Sequence, residues 1–315
     1  MPASEAVCPG AISSFFEICN ADQTGQPLTD PARIGARGGG FAIKRGVHAR
    51  VTTRKSTKTR IQIRINSKPA PEAHTTQWAL AKLLEKFNAK LELRADVTAG
   101  VPISAGYGTS AAGTAASCLA LADAAQLPVT LNELGQITHI AEVVNGTGLG
   151  TASAIFVGGF DLVTEPGAPG IGVVDRLTFP KGYSMICAYL GPVSTRETLS
   201  LTDIATRVNP PAQRAMRAIR ERPELKNFLQ SANRFSLEAG FLTPEIKRLI
   251  DTMISSGAIG AAQNMIGKAV HAVAEDYRAH TVAKAVRKAF PSATVFITQL
   301  DHSGVRLEER LKPKH

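Results

Sequence analysis

A glycine-dense loop between a strand-like and a helix-like segment constrains this chain more than any other feature. Leu91-Glu92-Leu93-Arg94-Ala95-Asp96-Val97 alternates as a half-buried strand does, and Thr109 to Leu127 is rich in Ala and Leu with helical character. The segment from Val101 to Gly108 therefore carries the chain into a helix N-terminus. Unpaired N–H groups and the positive end of a helix dipole converge at such a point, which suits an anion. Gly106 and Gly108 would let the backbone approach that anion, and Thr109 and Ser110 add hydroxyls just inside the helix. The glycines alone fit equally well a turn that caps a buried helix.

Two familiar phosphate loops can be tested against these residues. A P-loop needs Gly-x4-Gly-Lys-Ser/Thr, and Gly113 is followed by Thr114, with no lysine to reach the outer phosphates. A dinucleotide fingerprint could start at Gly106-x-Gly108-x-x-Ala111. It requires an acidic residue about twenty positions on, at the end of a second strand, and that region is still the helix, followed by Leu127-Pro128.

The rest of the chain reads as two mixed halves. Ala6 to Glu17 is expected to be a short strand broken into a turn at Pro9-Gly10. Ile34 to Ile43 is a glycine cluster around Arg37, open between a flexible hairpin and an anion-facing loop. Val47–Val51 and Ile61–Ile65 read as a hairpin with its tip at Thr53–Thr59, Ile61, Ile63 and Ile65 facing the core. Thr75–Asn88 is an amphipathic helix, and Thr130 and Glu133 resemble a capping box that starts a helix through Val144. On that helix His139 and Glu142 project from neighbouring points, just before a second glycine turn at Asn145–Thr151 and an expected apolar strand. Glu165 to Gly170 is the best boundary, giving domains 1–167 and 168–315. Beyond it a strand is expected at Tyr183–Leu190. Helices follow at Pro211–Arg222, Pro223–Ala239, Pro244–Ser255, Ala261–Asp276 and Thr281–Phe290, and the last strands are Thr294–Leu300 and Val305–Glu308.

Bulk properties exclude some classes. No apolar run approaches the ~18 residues of a membrane span, and the N-terminus lacks the basic and apolar regions of a signal peptide, so a cytoplasmic location is expected. The four cysteines are scattered, with no Cys-x-x-Cys pair to bind zinc. A formal charge of +10 attracts anions, nucleotides and carboxylates included. The basic clusters at Lys44–Arg64 and Arg207–Arg222 hold almost no aromatics, which argues against nucleic acid as a specific partner.

The run Pro102-x3-Gly106-Tyr107-Gly108-Thr109-Ser110-Ala111-Ala112 resembles the ATP-binding motif of the GHMP kinases, with Tyr107 where Leu is usual and Thr109 in place of the first Ser. Further segments are similar to one branch, the archaeal pantoate kinases: Cys8 through Phe16, Arg37-Gly38-Gly39-Gly40, His139 to Glu142, Gly146 to Gly150, Thr195-Arg196 and Asn264-Met265-Ile266-Gly267. The resemblance implies an α+β fold with the two-domain GHMP-kinase-like architecture. Its N-terminal domain would be like the second domain of a ribosomal protein, and the chain is often a homodimer. It also implies phosphorylation of (R)-pantoate with ATP and Mg²⁺ in coenzyme A synthesis. Pro102, Gly106, Tyr107, Gly108, Thr109, Ser110 and Ala111 would line ATP, Ser110 and Glu142 would hold the metal, and Arg37, His139, Thr195 and Arg196 would face pantoate.

Departures from that pattern bear on substrate identity. Many pantoate kinases carry Asp where Thr151 stands, Ser where Ala36 stands and Arg near Val163, and many other GHMP kinases carry a base Asp at the position of Ala152. The alternatives are a kinase for another small hydroxy acid or alcohol, or a catalytically silent nucleic-acid-binding module.

Overall fold

The computed structural model describes residues 1–192, 201–265 and 267–308, with backbone alone for 201–203. Two long strands, β1 (Ala3–Cys19) and β2 (Gly35–Lys55), pair antiparallel over most of their length. After them come β3 (Arg60–Ile65), β4 (Lys68–Pro69), α1 (His74–Lys86), β5 (Leu91–Ala99), α2 (Thr109–Ala124) and α3 (Leu131–Val144). A short helix α4 (Thr151–Val157) leads into β6 (Phe160–Glu165) and β7 (Val173–Leu177). The second half is β8 (Tyr183–Tyr189), α5 (Leu201–Glu221), α6 (Leu225–Glu238), α7 (Pro244–Ser255), β9 (Gly260–Gln263), β10 (Ala269–Glu275), α8 (Asp276–Ala289), β11 (Thr294–Thr298) and β12 (Arg306–Leu307).

The first sheet runs β12-β1-β2-β5-β3-β4, with β6 on the lower part of β2 and β7 outside β6; the second runs β11-β8-β10-β9. Three apolar clusters follow from this layering. One lies between the first sheet and α1 to α3, where Ala111, Ala112, Ala115 and Ala116 let α2 sit close to the strands. A second joins the halves through phenylalanines, with Phe160 of β6 and Phe228 of α6 4.6 Å apart edge to face. The third packs α7 and α8 on the second sheet. No helix among the described residues is long and apolar enough to cross a membrane.

Several local expectations are corrected. Pro9-Gly10 does not end a short strand: β1 continues through it, and the irregularity is absorbed as a bulge between Cys8 and Gly10. The glycine cluster is neither a hairpin nor a loop but the N-terminal part of β2. There β1 passes so close that a Cβ on Gly40 would run into the Ile12 carbonyl oxygen and one on Gly38 into that of Phe15. Val47–Val51 and Ile61–Ile65 do not form a hairpin, because β5 lies between them and pairs parallel to β3 through the α1 crossover. Residues 151–157 are helical rather than a strand, and 261–276 are two paired strands rather than a helix. In both stretches most side chains are buried in unbroken runs, Ala152–Ile155 and Ala269–Ala274 among them, so no alternation marks the period. The 165–170 stretch turns β6 into β7, so the first sheet extends to Leu177. Val305–Glu308 does not close the second half, since β12 pairs with β1.

Candidate active site

The loop after β5 delivers Gly106, Tyr107 and Gly108 to the start of α2. Gly108 is the N-cap residue in the left-handed region, φ 61°, and carries no side chain to cap the first-turn N–H groups. A Cβ on Gly108 would lie 2.6 Å from Thr151 Cγ2 and 3.1 Å from Ala11 Cβ. The glycine is thus demanded by packing as well as by φ. Tyr107 is anchored from below: its buried ring stands 5.6 Å from Phe296 of the second sheet, and its carbonyl accepts from Ala11 N–H at 3.0 Å. Burial pushes its phenol well above the ordinary value.

Opposite the loop, the capped helix α3 brings in Glu142. Thr130 and Glu133 make the expected capping box. Glu142 Oε1 accepts from Ser110 Oγ at 2.6 Å and from Thr147 Oγ1 at 2.8 Å, and Thr75 Oγ1 is 3.0 Å from Thr147 Oγ1. A Cβ on Gly148 would collide with Glu142 Oε2, so the second glycine turn wraps directly around the carboxyl. Burial raises the Glu142 pKa above its ordinary value, and the two hydroxyl donors pull it back toward the charged form. The set is all hard oxygen, the donor chemistry that Mg²⁺ takes.

A cavity of about 1280 Å³ joins these parts. Gly106, Tyr107, Gly108, Thr109, Ser110, Glu142 and Arg37 all line it. Pro102 and Ala111 do not; Ala111 is buried in the first apolar cluster. Arg37 Nε and Nη2 donate to Glu17 Oε2 and Oε1, both at 2.9 Å, and Gln213 of α5 donates to Glu17 Oε1 at 2.8 Å. That bidentate pair raises the guanidinium's pKa and fixes its position. His139 is also outside the lining. Its ring is buried and Nε2–H donates to the Ile34 carbonyl at 2.8 Å, three residues before Arg37, while burial lowers its pKa. Thr195 and Arg196 lie outside the described residues.

Sequence reasoning missed two residues on the cavity wall. In sequence Thr147 is only part of a glycine turn, yet it is the second donor to Glu142. Asp161 is 4% exposed, and burial pushes its carboxyl up to about 7. The available signal was an acid inside the apolar run Phe160-Asp161-Leu162-Val163.

Residues 74–159 match the family described as GHMP kinases N terminal domain. The chain is 29% identical over 281 residues to a pantoate kinase of Thermococcus kodakarensis, covering 87% of this chain and 88% of that protein. It is 26% identical to a pantoate kinase of Methanocaldococcus jannaschii, covering 85% and 91%. Among solved structures, a "Phosphotransferase related to CoA biosynthesis pathway" superposes with TM-score 0.85 at 23% identity, covering 98% of this chain and all of that one. A structure described as "MDDEF in complex with MVAPP, AMPPCP and Magnesium" shares the fold with TM-score 0.70 at 12% identity, covering 98% and 99%. The glycine loop and the Glu142 helix thus lie inside the segment that matches the GHMP kinase N-terminal domain, and the chain is similar to pantoate kinases over most of its length.

Proposed function

We propose that this chain is a kinase that transfers the terminal phosphoryl group of ATP to (R)-pantoate, giving (R)-4-phosphopantoate. The observation that carries the reading is the Ser110–Glu142–Thr147 oxygen cluster, set beside an open glycine loop in the same cavity as Arg37. GHMP kinases use ATP, and the loop around Gly106 and Gly108 with the first turn of α2 offers backbone N–H groups to its phosphates. Ser110 and Glu142 would hold Mg²⁺. A bound Mg²⁺ supplies charge neutralisation on the phosphates.

The chain's own residues supply binding and orientation. Arg37, fixed by its fork with Glu17, turns the guanidinium edge that faces the cavity to the acceptor's carboxylate. His139 acts from behind by holding the Ile34 carbonyl ahead of the Arg37 strand, rather than by touching the acceptor. Thr195 and Arg196 belong to the same acceptor end in this reading. The division of labour falls between an N-terminal half carrying the loops and a C-terminal α+β half, in a chain that acts in the cytoplasm as a homodimer.

An ADP-release assay with pantoate, mevalonate, homoserine and shikimate tests the assignment. Pantoate should exceed the others by about 100-fold in kcat/KM, since a site built to pair with particular polar groups rejects analogues that leave them unpaired. A preference for another acceptor would overturn the substrate and leave the kinase standing. Turnover with none would remove both.

A further inference from the structure

Asp161 is a buried carboxyl of the cavity that the reading above leaves without a task. It lies in β6 directly opposite Gly40 of β2 and Arg176 of β7. Directly opposed residues of antiparallel strands share a face, and Gly40 has no side chain, so the carboxyl stands beside a bare stretch of sheet. Val163, opposite Gly38, continues that face, and Thr151 and Ala154, one turn apart on α4, line the cavity with it.

Nothing among the described residues neutralises the group. Arg176 turns its guanidinium to the Val157 carbonyl at the end of α4. The β2 segment paired with β6 carries no charge, and the cations flanking it are engaged elsewhere, Arg37 with Glu17 and Lys44 with Gln299. No residue of α4 titrates, Asp175 on β7 donates nothing, and Glu165 is the other acid of β6. Among the described residues, the one donor to the Asp161 carboxyl is its own backbone N–H. A carboxyl left unpaired in a buried place is costly, and on a cavity wall that cost marks a functional group.

We propose that Asp161 is a catalytic residue of this transfer, the group that takes the proton of the acceptor hydroxyl. The proposal rests on the kinase reading. As the acceptor oxygen bonds to the terminal phosphorus of ATP, the bond from that phosphorus to the bridging oxygen breaks and ADP leaves with the electron pair. The hydroxyl proton passes to the Asp161 carboxylate and goes to water after product release. A base that titrates near neutrality suits this step, and burial supplies the shift.

The same burial has a signature independent of turnover. The folded-state pKa is raised above the ordinary 3.8 to about 7, so the group's contribution to stability is fully present below about pH 4 and is lost as pH rises through 7. Asp161→Asn keeps the neutral shape at every pH and abolishes that loss.

Asp161→Asn is compared with the parent protein in two measurements. Without ligand, the melting temperature of the parent should fall relative to the variant between pH 5 and 8.5. With ATP and the preferred acceptor, kcat should drop about 100-fold or more with KM for ATP little changed, and the acid limb of the parent's kcat profile near pH 7 should vanish. If the asparagine variant does not fold, Asp161→Ser replaces it in both measurements. A variant with near-parental kcat and an unchanged acid limb overturns the proposal while the kinase reading survives. A parent that phosphorylates no acceptor overturns both.

Discussion

At the scale of single residues, Glu142 is held by opposing effects: burial favours its neutral form, and Ser110 and Thr147 favour its charge. Glu142→Gln keeps the shape but removes the negative charge available to a cation. It should lower kcat by about 100-fold and raise the Mg²⁺ requirement, because a lost electrostatic contact at a developing charge costs about that much. Thr151→Ala should be mild, since Thr151 sets its methyl against Gly108. A magnesium titration of both variants decides it, and the reverse ranking would mean that Thr151 performs the chemistry assigned to Glu142. Ser110 and Glu142 were legible because a motif fixed the first and helix spacing placed the second beside a glycine turn. The same spacing put His139 nearby but could not say that its ring points to the 31–34 segment. Asp161 was invisible as a site residue, for its role depends on Gly40 and α4, which are distant in sequence.

At the scale of elements, the β1–β2 pair sets the floor of the site, and glycines act there through space rather than flexibility. Gly40→Ala should destabilise the protein severely, by about 3 kcal/mol or more, because the contact is with backbone and cannot yield. Gly113→Ala, where a Cβ would meet Val97 Cγ1 at 3.6 Å inside α2, should instead be neutral or stabilise by about 0.5–1 kcal/mol. Urea denaturation of the two variants separates these cases, and equal midpoints would contradict the packing account. Helices with one exposed face, such as α1 and α7, were readable from period alone. The pair β9 and β10 was not: Ala261, Ala262, Ala272, Val273 and Ala274 are buried on both faces, leaving an apolar run that reads as a helix.

At the scale of the whole molecule, the two halves meet in a seam that is aromatic and polar at once. Beside the phenylalanine cluster, Ser14 of β1 donates to His271 Nε2 at 3.0 Å, and His271 Nδ1–H donates to Asn264 Oδ1 at 2.8 Å. The Asn264 carbonyl lies against Gly106, so this chain of contacts ties the second sheet to the glycine loop. Burial lowers the His271 pKa from 6.5 to about 3, so the folded state resists a proton that the unfolded chain accepts. Stability should therefore fall as pH drops below about 6.5 and level off near 3, by a few kcal/mol in all. His271→Gln should flatten that part of a melting-temperature profile, and an unchanged slope would place the acid sensitivity elsewhere. No sequence pattern joins Ser14 to His271, because the contact spans 257 positions.

The central claim, that these parts assemble a kinase of a small hydroxy acid, is tested most directly by where the phosphorus goes. Phosphorus NMR of the protein mixed with ATP, Mg²⁺ and (R)-pantoate should show the terminal phosphate of ATP replaced by ADP and one new phosphomonoester on the 4-oxygen of pantoate, with this conversion much reduced in Glu142→Gln. Persistent ATP, or conversion to ADP and inorganic phosphate alone, would contradict it.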